Sequence, residues 1–472
     1  MARSSMVSLS FLLMLAACGS SSTTNQDRFN DLVAYAQSEL ARQGVPGAAV
    51  AVVVDGKVAY TAGVGSKRMD TMDPVHATTT FGIGSTTKMM VASALLSVRE
   101  AGRVDLDAPI TQLAPEFQLA EPFASMSSEI TLRELLSHTA GLQDTEAYLC
   151  SDTLSQYFGS ERPELWAEPG LLYDYSNLGY DLAGLALERS AGEPFAAAMQ
   201  DRIFARAGMN TTTFDSASAM ALDHSLGHTI GSDGKLTEVE LDSHGCPYGA
   251  PSGTETYTTA PELAQFAAAV VGGGGDVLDQ NSTAELLQTS VETHGYPGET
   301  YGLGLASLNG PGERVLYHNG DDGRFTSMVA LVPGVRFAVV VIMNSGSGVP
   351  DYIVADALRL FIGSDEGLTL PHLLRGDFSI PASSLPRYVG TYLEPIEWGR
   401  AIVSVDGDHL VATLPDYTGA PTGTLEPVAG DAFSATLNVL PGQQIPLYFW
   451  FDSDPNHAAK IVTRLGIFSR TQ

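Results

Sequence analysis

The sequence predicts a mixed α/β fold of the α+β kind followed by a small all-β domain, and three observations carry that prediction. The 472 residues include 48 glycines and 25 prolines, a supply of turn formers that implies many short elements. Helical and strand periodicities alternate along most of the chain, and hydrophobic residues make up 44%, ample for a buried core. After residue 370 the helical patterns stop, and only short alternating runs follow. Length allows two or three domains at roughly 150 residues each, or one large enzyme domain.

The elements follow in order. Arg3 is the only charge before an apolar run over 7–17, too short to span a bilayer, so residues 1–17 read as a signal peptide. The run ends Leu15-Ala16-Ala17-Cys18-Gly19. That pattern is similar to a bacterial lipobox with Cys18 as the lipidated residue; the alternative is an ordinary A-x-A cleavage site beside a cysteine. Gly19 is not an aspartate, which favours the periplasmic face of the outer membrane for an exported lipoprotein. Residues 18–26, small and polar, read as a tether. From Asp27 a helical face carries Phe29, Leu32, Val33, Ala36 and Leu40. An apolar run over 46–54, the turn Asp55-Gly56 and a return from Val58 predict a hairpin. Residues 85–102 predict a buried helix and 130–136 a short one, closed by Ser137-His138-Thr139-Ala140-Gly141. Helices over 177–188 and 194–207 follow, then a turn at 232–234 and a helix over 261–271 with Pro261 in its first turn. Strands are predicted at 315–318, 326–331 and 337–343, and a helix at 351–361. The first domain thus runs over 27–370. Pro371, Pro381 and Pro386 mark a linker over 371–386, and residues 387–472 form the β domain, with strands at 388–392, 401–405, 410–414, 433–437, 447–451 and 461–468.

Charge excludes some functions. There are 54 Asp and Glu against 25 Lys and Arg, a formal charge of -29. A nucleic-acid partner would need a basic footprint, and electrostatic adhesion to anionic lipid would need basic clusters. Membrane association is expected through the Cys18 lipid anchor only. Cys150 and Cys246 can pair in an oxidising compartment or remain two buried thiols.

Three short motifs carry chemistry. In Ser85-Thr86-Thr87-Lys88 the helical spacing places both side chains on one face, where a desolvated lysine can activate the serine hydroxyl. Residues 232–235 repeat the spacing, but in a turn rich in Asp and Gly, whereas Lys88 is followed by Met89-Met90-Val91-Ala92. In Tyr175-Ser176-Asn177 a phenol could shuttle a proton and an amide could orient the lysine; the alternative is a core tyrosine beside an Asn helix cap. In His318-Asn319-Gly320 a strand edge could line a cleft; the alternative is a histidine before an Asn-Gly turn. No Gly-x-Ser-x-Gly elbow, His-Glu-x-x-His pair or glycine-rich phosphate loop occurs, so no metal or cofactor is expected.

Taken together, these motifs make the chain similar to the serine β-lactamase and penicillin-binding-protein superfamily, nearest its class C β-lactamase, D-amino-acid peptidase and carboxylesterase group. The resemblance covers roughly residues 29–370. It rests on Phe81-Gly82-Ile83-Gly84-Ser85-Thr86-Thr87-Lys88, Ile130-Thr131-Leu132-Arg133-Glu134-Leu135-Leu136-Ser137-His138-Thr139-Ala140-Gly141-Leu142, Tyr175-Ser176-Asn177-Leu178-Gly179-Tyr180 and His318-Asn319-Gly320. It implies an antiparallel sheet flanked by helices, with a helical subdomain and the site between them. It implies Ser85 as acylated nucleophile, Lys88 as its base or base partner, Tyr175 as proton shuttle toward the leaving group and Asn177 as the residue positioning Lys88 and substrate. It also implies substrate binding at His318, Gly320 and Asp321, with the backbone N–H groups of Ser85 and Asp321 as oxyanion hole. The C-terminal domain resembles the lipocalin-like modules of some such hydrolases, through Tyr388-Val389-Gly390-Thr391-Tyr392 and Phe468-Ser469-Arg470.

One departure shifts the expected substrate. The lactamases and carboxypeptidases of the group usually place Lys-Thr-Gly or Lys-Ser-Gly where this chain has His-Asn-Gly. The chain has only five lysines, and none of them precedes Thr-Gly or Ser-Gly. A histidine is mostly neutral at pH 7. The sequence therefore predicts a serine hydrolase of small-molecule or peptide substrates, cleaving an ester or a peptide with a D-residue. The alternatives are a β-lactamase or DD-carboxypeptidase, and a catalytically silent binder of cell-wall peptide.

Overall fold

The computed structural model describes all residues except 1–23, 70, 145–152, 232–234, 242–250, 254, 295–297, 309–312, 364–378, 395–397, 438–444, 464–465 and 472. The expected signal peptide, Cys18, and the Cys150–Cys246 pair lie outside the described residues.

The chain opens with the helix Asn25–Gln43, fixed at its start by a capping box between Thr24 and Asp27. The hairpin Gly47–Val54 and Lys57–Gly65 turns at Asp55 and Gly56, both at positive φ. This hairpin is one edge of an antiparallel eight-stranded sheet. Its order is Lys57–Gly65, Gly47–Val54, Phe337–Met343, Thr326–Val332, Val315–Asp321, Ala306–Leu308, Glu299–Gly302 and Thr289–Glu292.

Both faces of the sheet are covered. Ala49, Ala51 and Val53 point into the core shared with the helices Thr87–Glu100, Asn177–Ala191 and Ala260–Val271. Ala48, Val50 and Val52 point to the opposite face, under Asn25–Gln43 and the helix Asp351–Ile362. That explains why the central strands read as unbroken apolar runs instead of alternating ones.

The all-β region is a closed eight-stranded barrel. The run 461–468, expected as one strand, is two, Lys460–Thr463 and Gly466–Arg470. The strand Thr422–Ala429 was not foreseen, because Gly423 and Pro427 interrupt its pattern; its register shifts between Pro427 and Ala429. The end of the expected linker is a 3-10 helix, Ala382–Tyr388, whose Leu385 and Tyr388 enter the barrel core. The barrel abuts the larger unit through an apolar seam. There Trp166, Ala167 and Leu172 pack with Ala432, Tyr448, Val462 and Ile467.

Candidate active site

Ser85 lies in a 3-10 turn, Gly84–Thr86, that leads directly into the helix Thr87–Glu100. The turn is bolted to the sheet. Ser327 Oγ donates to Ile83 O at 2.6 Å, and Thr86 Oγ1 lies 3.2 Å from Ser327 Oγ. The end of Val315–Asp321 presses on the same turn. A Cβ at Gly320 would lie 2.0 Å from Ile83 O, so only glycine allows this approach. A Cβ on Gly84 would lie 2.8 Å from the Asp321 backbone nitrogen, which puts that N–H beside the Ser85 turn.

Lys88 is fully buried, one helical turn beyond Ser85. Its Nζ contacts Ser85 Oγ at 2.9 Å, Asn177 Oδ1 at 2.7 Å and the Ser252 carbonyl at 2.6 Å. An ammonium has three N–H donors, and these three acceptors use them all. Two of the acceptors, an amide oxygen and a peptide carbonyl, have no proton to give. A neutral Lys88 that kept donating to both would therefore aim its lone pair at the Ser85 hydroxyl. The arrangement can take the serine proton as the oxygen attacks a carbonyl carbon.

Asn177 begins the helix Asn177–Ala191, but it is not the cap. Ser176 is, with Oγ accepting from the Gly179 N–H at 3.0 Å. That leaves the Asn177 amide available to Lys88. The Asp144 carboxylate accepts from the Asn177 backbone N–H at 2.8 Å and from Nδ2 at 3.4 Å, so Oδ1 is the end that meets the lysine.

Tyr175 places its ring 4.9 Å from Lys88 Nζ, and the Tyr180 ring lies 5.4 Å away. Tyr175 is held from both sides by His138, a residue at positive φ. The Asp174 N–H donates to His138 O at 2.7 Å, and the Ser176 N–H donates to His138 Nδ1 at 3.1 Å. The imidazole also packs against the Tyr175 ring, tilted by 32°, with centroids 4.2 Å apart.

His318 is buried, with its ring centroid 6.4 Å from that of Tyr175. Its Nδ1 lies 2.6 Å from Asn319 O and its Nε2 2.9 Å from Tyr301 Oη. Burial pushes the Tyr301 phenol well above its ordinary range, so it keeps a proton to donate. The Nδ1–H of the imidazole can donate to Asn319 O while the phenol engages Nε2. Nearby, Arg324 does not supply the missing cation. It pairs with Asp322 at 3.1 Å, and each side chain is only 4% exposed.

Ser85, Lys88, Tyr175, Asn177, His318, Gly320 and Asp321 thus converge around the Ser85 turn. The sequence reading missed Ser252, Asp144, His138 as a support, and Tyr301. Among the described residues, no group of three or more His, Cys, Asp or Glu could hold a metal. No helix among them is long and apolar enough to cross a membrane.

Comparison with known proteins gives this geometry its context. Protein flp of Staphylococcus aureus strain MW2 is 24% identical over 323 residues, 66% of this chain; the match spans only 62% of the length of flp. Penicillin-binding protein 4 of Amycolatopsis lactamdurans is 26% identical over 373 residues, 74% of this chain and 93% of that protein. The structure of SurE with D-Leu has a TM-score of 0.69 at 20% identity, covering 94% of this chain and 100% of that one, so the shared fold includes the barrel. The model of the β-lactamase family matches residues 32–364, and the chain belongs to that family.

Proposed function

We propose that the protein is a serine hydrolase that forms an acyl-Ser85 intermediate and cleaves an ester or a peptide bond, with D-residues among its preferred acyl groups or leaving groups. The carrying observation is the three-point hold on Lys88, in which only Ser85 Oγ has a proton to give. The Ser85 hydroxyl proton passes to Lys88 as Oγ bonds to the carbonyl carbon. Tyr175 then gives its phenol proton to the leaving group and recovers one from the Lys88 ammonium, which restores Lys88 as base, and water releases the acyl chain by the reverse sequence. The backbone N–H groups of Ser85 and Asp321 receive the developing oxyanion.

Substrate choice follows from the third-motif strand. His318 is a buried imidazole where the lactamases and carboxypeptidases of the group usually carry a permanent lysine cation, which supports an ester or peptide substrate over efficient turnover of penicillins. The D-residue part draws on the fold shared with SurE, solved with D-Leu. A DD-carboxypeptidase or lactamase reading draws instead on the penicillin-binding relative. Export and anchoring through an acylated Cys18 belong to the same proposal, and mass spectrometry of the mature N-terminus tests them.

The decisive experiment uses a fluorophosphonate or penicillin-type probe with the wild type and Ser85→Ala, followed by p-nitrophenyl esters, D-aminoacyl p-nitroanilides and nitrocefin. Labelling of the wild type alone, with ester or D-aminoacyl turnover, is the expected result. Labelling that persists in Ser85→Ala removes Ser85 as nucleophile. Rapid nitrocefin turnover reverses the substrate assignment. Ligand binding without acylation makes the protein a silent binder.

A further inference from the structure

We infer that Asp181 is a positioning residue of the Ser85–Lys88 pair, acting through Ser252 to aim an acceptor at the lysine and to balance the charge that forms there. The inference rests on the hydrolase reading above.

The geometry begins on the helix Asn177–Ala191, where Asn177, Asp181 and Gly184 follow one another at i, i+4 and i+7 and so share a face. Residues 251–253 lie on that face. A Cβ at Gly184 would fall 2.0 Å from Pro251 Cγ, so the helix and the 251–253 segment are in tight contact. On its other side the segment meets the serine turn: Gly253 has φ +111°, and a Cβ there would lie 2.2 Å from Gly84 O. Asp181 Oδ1 accepts from the Ser252 N–H at 3.1 Å, and the Ser252 carbonyl accepts from Lys88 Nζ at 2.6 Å. One end of Ser252 is thus held by Asp181 while the other end holds the lysine.

Asn177 and Asp181 therefore support Lys88 from the same helix, one directly and one through a neighbour. When Lys88 takes the Ser85 proton, a positive charge appears at a fully buried nitrogen, and a carboxylate behind the acceptor favours that state. No bond to Asp181 forms or breaks. The proton moves from Ser85 Oγ to Lys88 Nζ, and the oxygen electron pair goes to the substrate carbon.

The charge on Asp181 is itself adjustable. The carboxyl is 2% exposed, and burial pushes it up to about 7. The Ser252 N–H and the Lys88 cation pull it back down, and the Asp144 carboxylate pushes it further up. The supporting anionic form is present above that value and is lost as pH falls through it. Acylation should lose rate on the acid side correspondingly.

Asp181→Asn keeps an oxygen for the Ser252 N–H and removes the charge. General-base catalysis contributes about 10²- to 10⁴-fold, and the variant should forfeit about tenfold or more of that in kcat/KM, with KM little changed. Its pH profile should lose the acid limb near neutrality. Gly184→Ala, which displaces Pro251 and alters no charge, should lower the rate but retain that limb. Circular dichroism establishes that each variant is folded. A wild-type profile without an ionisation near 7, or an Asp181→Asn enzyme with wild-type rate and profile, overturns the inference. Fluorophosphonate labelling of Ser85 at pH 8 separates this from the parent reading. A wild type that does not label defeats both, whereas equal labelling rates in wild type and Asp181→Asn at every pH defeat only the role of Asp181.

Discussion

Asn177 Oδ1 stands 2.7 Å from Lys88 Nζ, and the Asp144 carboxylate on the far side of the amide determines which end of Asn177 makes that contact. Asn177→Ala removes one of the two proton-free acceptors that orient Lys88. We expect kcat/KM toward an activated ester to fall about 10²-fold, mostly in kcat, with the fold retained. Steady-state kinetics check this, and a variant within threefold of the wild type would detach Asn177 from the mechanism.

Gly320→Ala tests the close approach of the sheet to the serine turn. The new methyl would meet Ile83 O and Ser327 Oγ, at 2.0 and 2.6 Å, so one of the two elements must move. Overpacking of this kind costs about 1–3 kcal/mol. The cost in rate should exceed the cost in stability, because the Asp321 N–H moves away from the Ser85 turn. Comparing the urea midpoint with the rate of probe labelling distinguishes the two effects.

Asp174 bears on pH and stability. It is 2% exposed, and neither carboxyl oxygen has a hydrogen-bond partner among the described residues. Burial, with Asp144 adding to it, pushes its carboxyl well above the usual range. The folded protein therefore binds a proton that the unfolded chain has released above its ordinary value of about 4. Unfolding free energy falls as pH rises from there toward the folded value. Asp174→Asn should raise the melting temperature at pH 7, and the gap should close below pH ~4. Equal melting curves at both pH values would contradict this.

Trp166→Ala addresses the seam with the barrel. The indole is 9% exposed and packs against Tyr448, Val462 and Ile467. Removing a buried aromatic costs about 3–5 kcal/mol. We expect the single unfolding transition to split in calorimetry as the barrel and the larger unit lose their contact. One unshifted transition would assign the seam no such weight.

What was legible in the sequence depended on distance along the chain. Ser85 and Lys88 declare themselves because a single helical turn separates them, and Tyr175 and Asn177 because they are two apart. Ser252 contributes only a backbone carbonyl, 164 positions from the lysine it serves, and no residue type marks such a role. Asp181 reads as an ordinary polar helix residue until the segment packed on it is known. The strands Thr289–Glu292, Glu299–Gly302 and Ala306–Leu308 were missed for a simpler reason: each is too short for a period of two to register.

The central sheet also constrains how the protein is made. The strand Gly47–Val54 has its partner in Phe337–Met343, and the Gly47 N–H donates to Asn344 Oδ1 across 297 positions of sequence. A chain that emerges from its N-terminus cannot complete this pairing until nearly the whole larger unit is free to fold. Closing so long a loop places the domain among slow, high-contact-order folders. Until then the inner strand of the first hairpin has an unpaired apolar edge, the kind of surface that exposes an unfinished chain to aggregation.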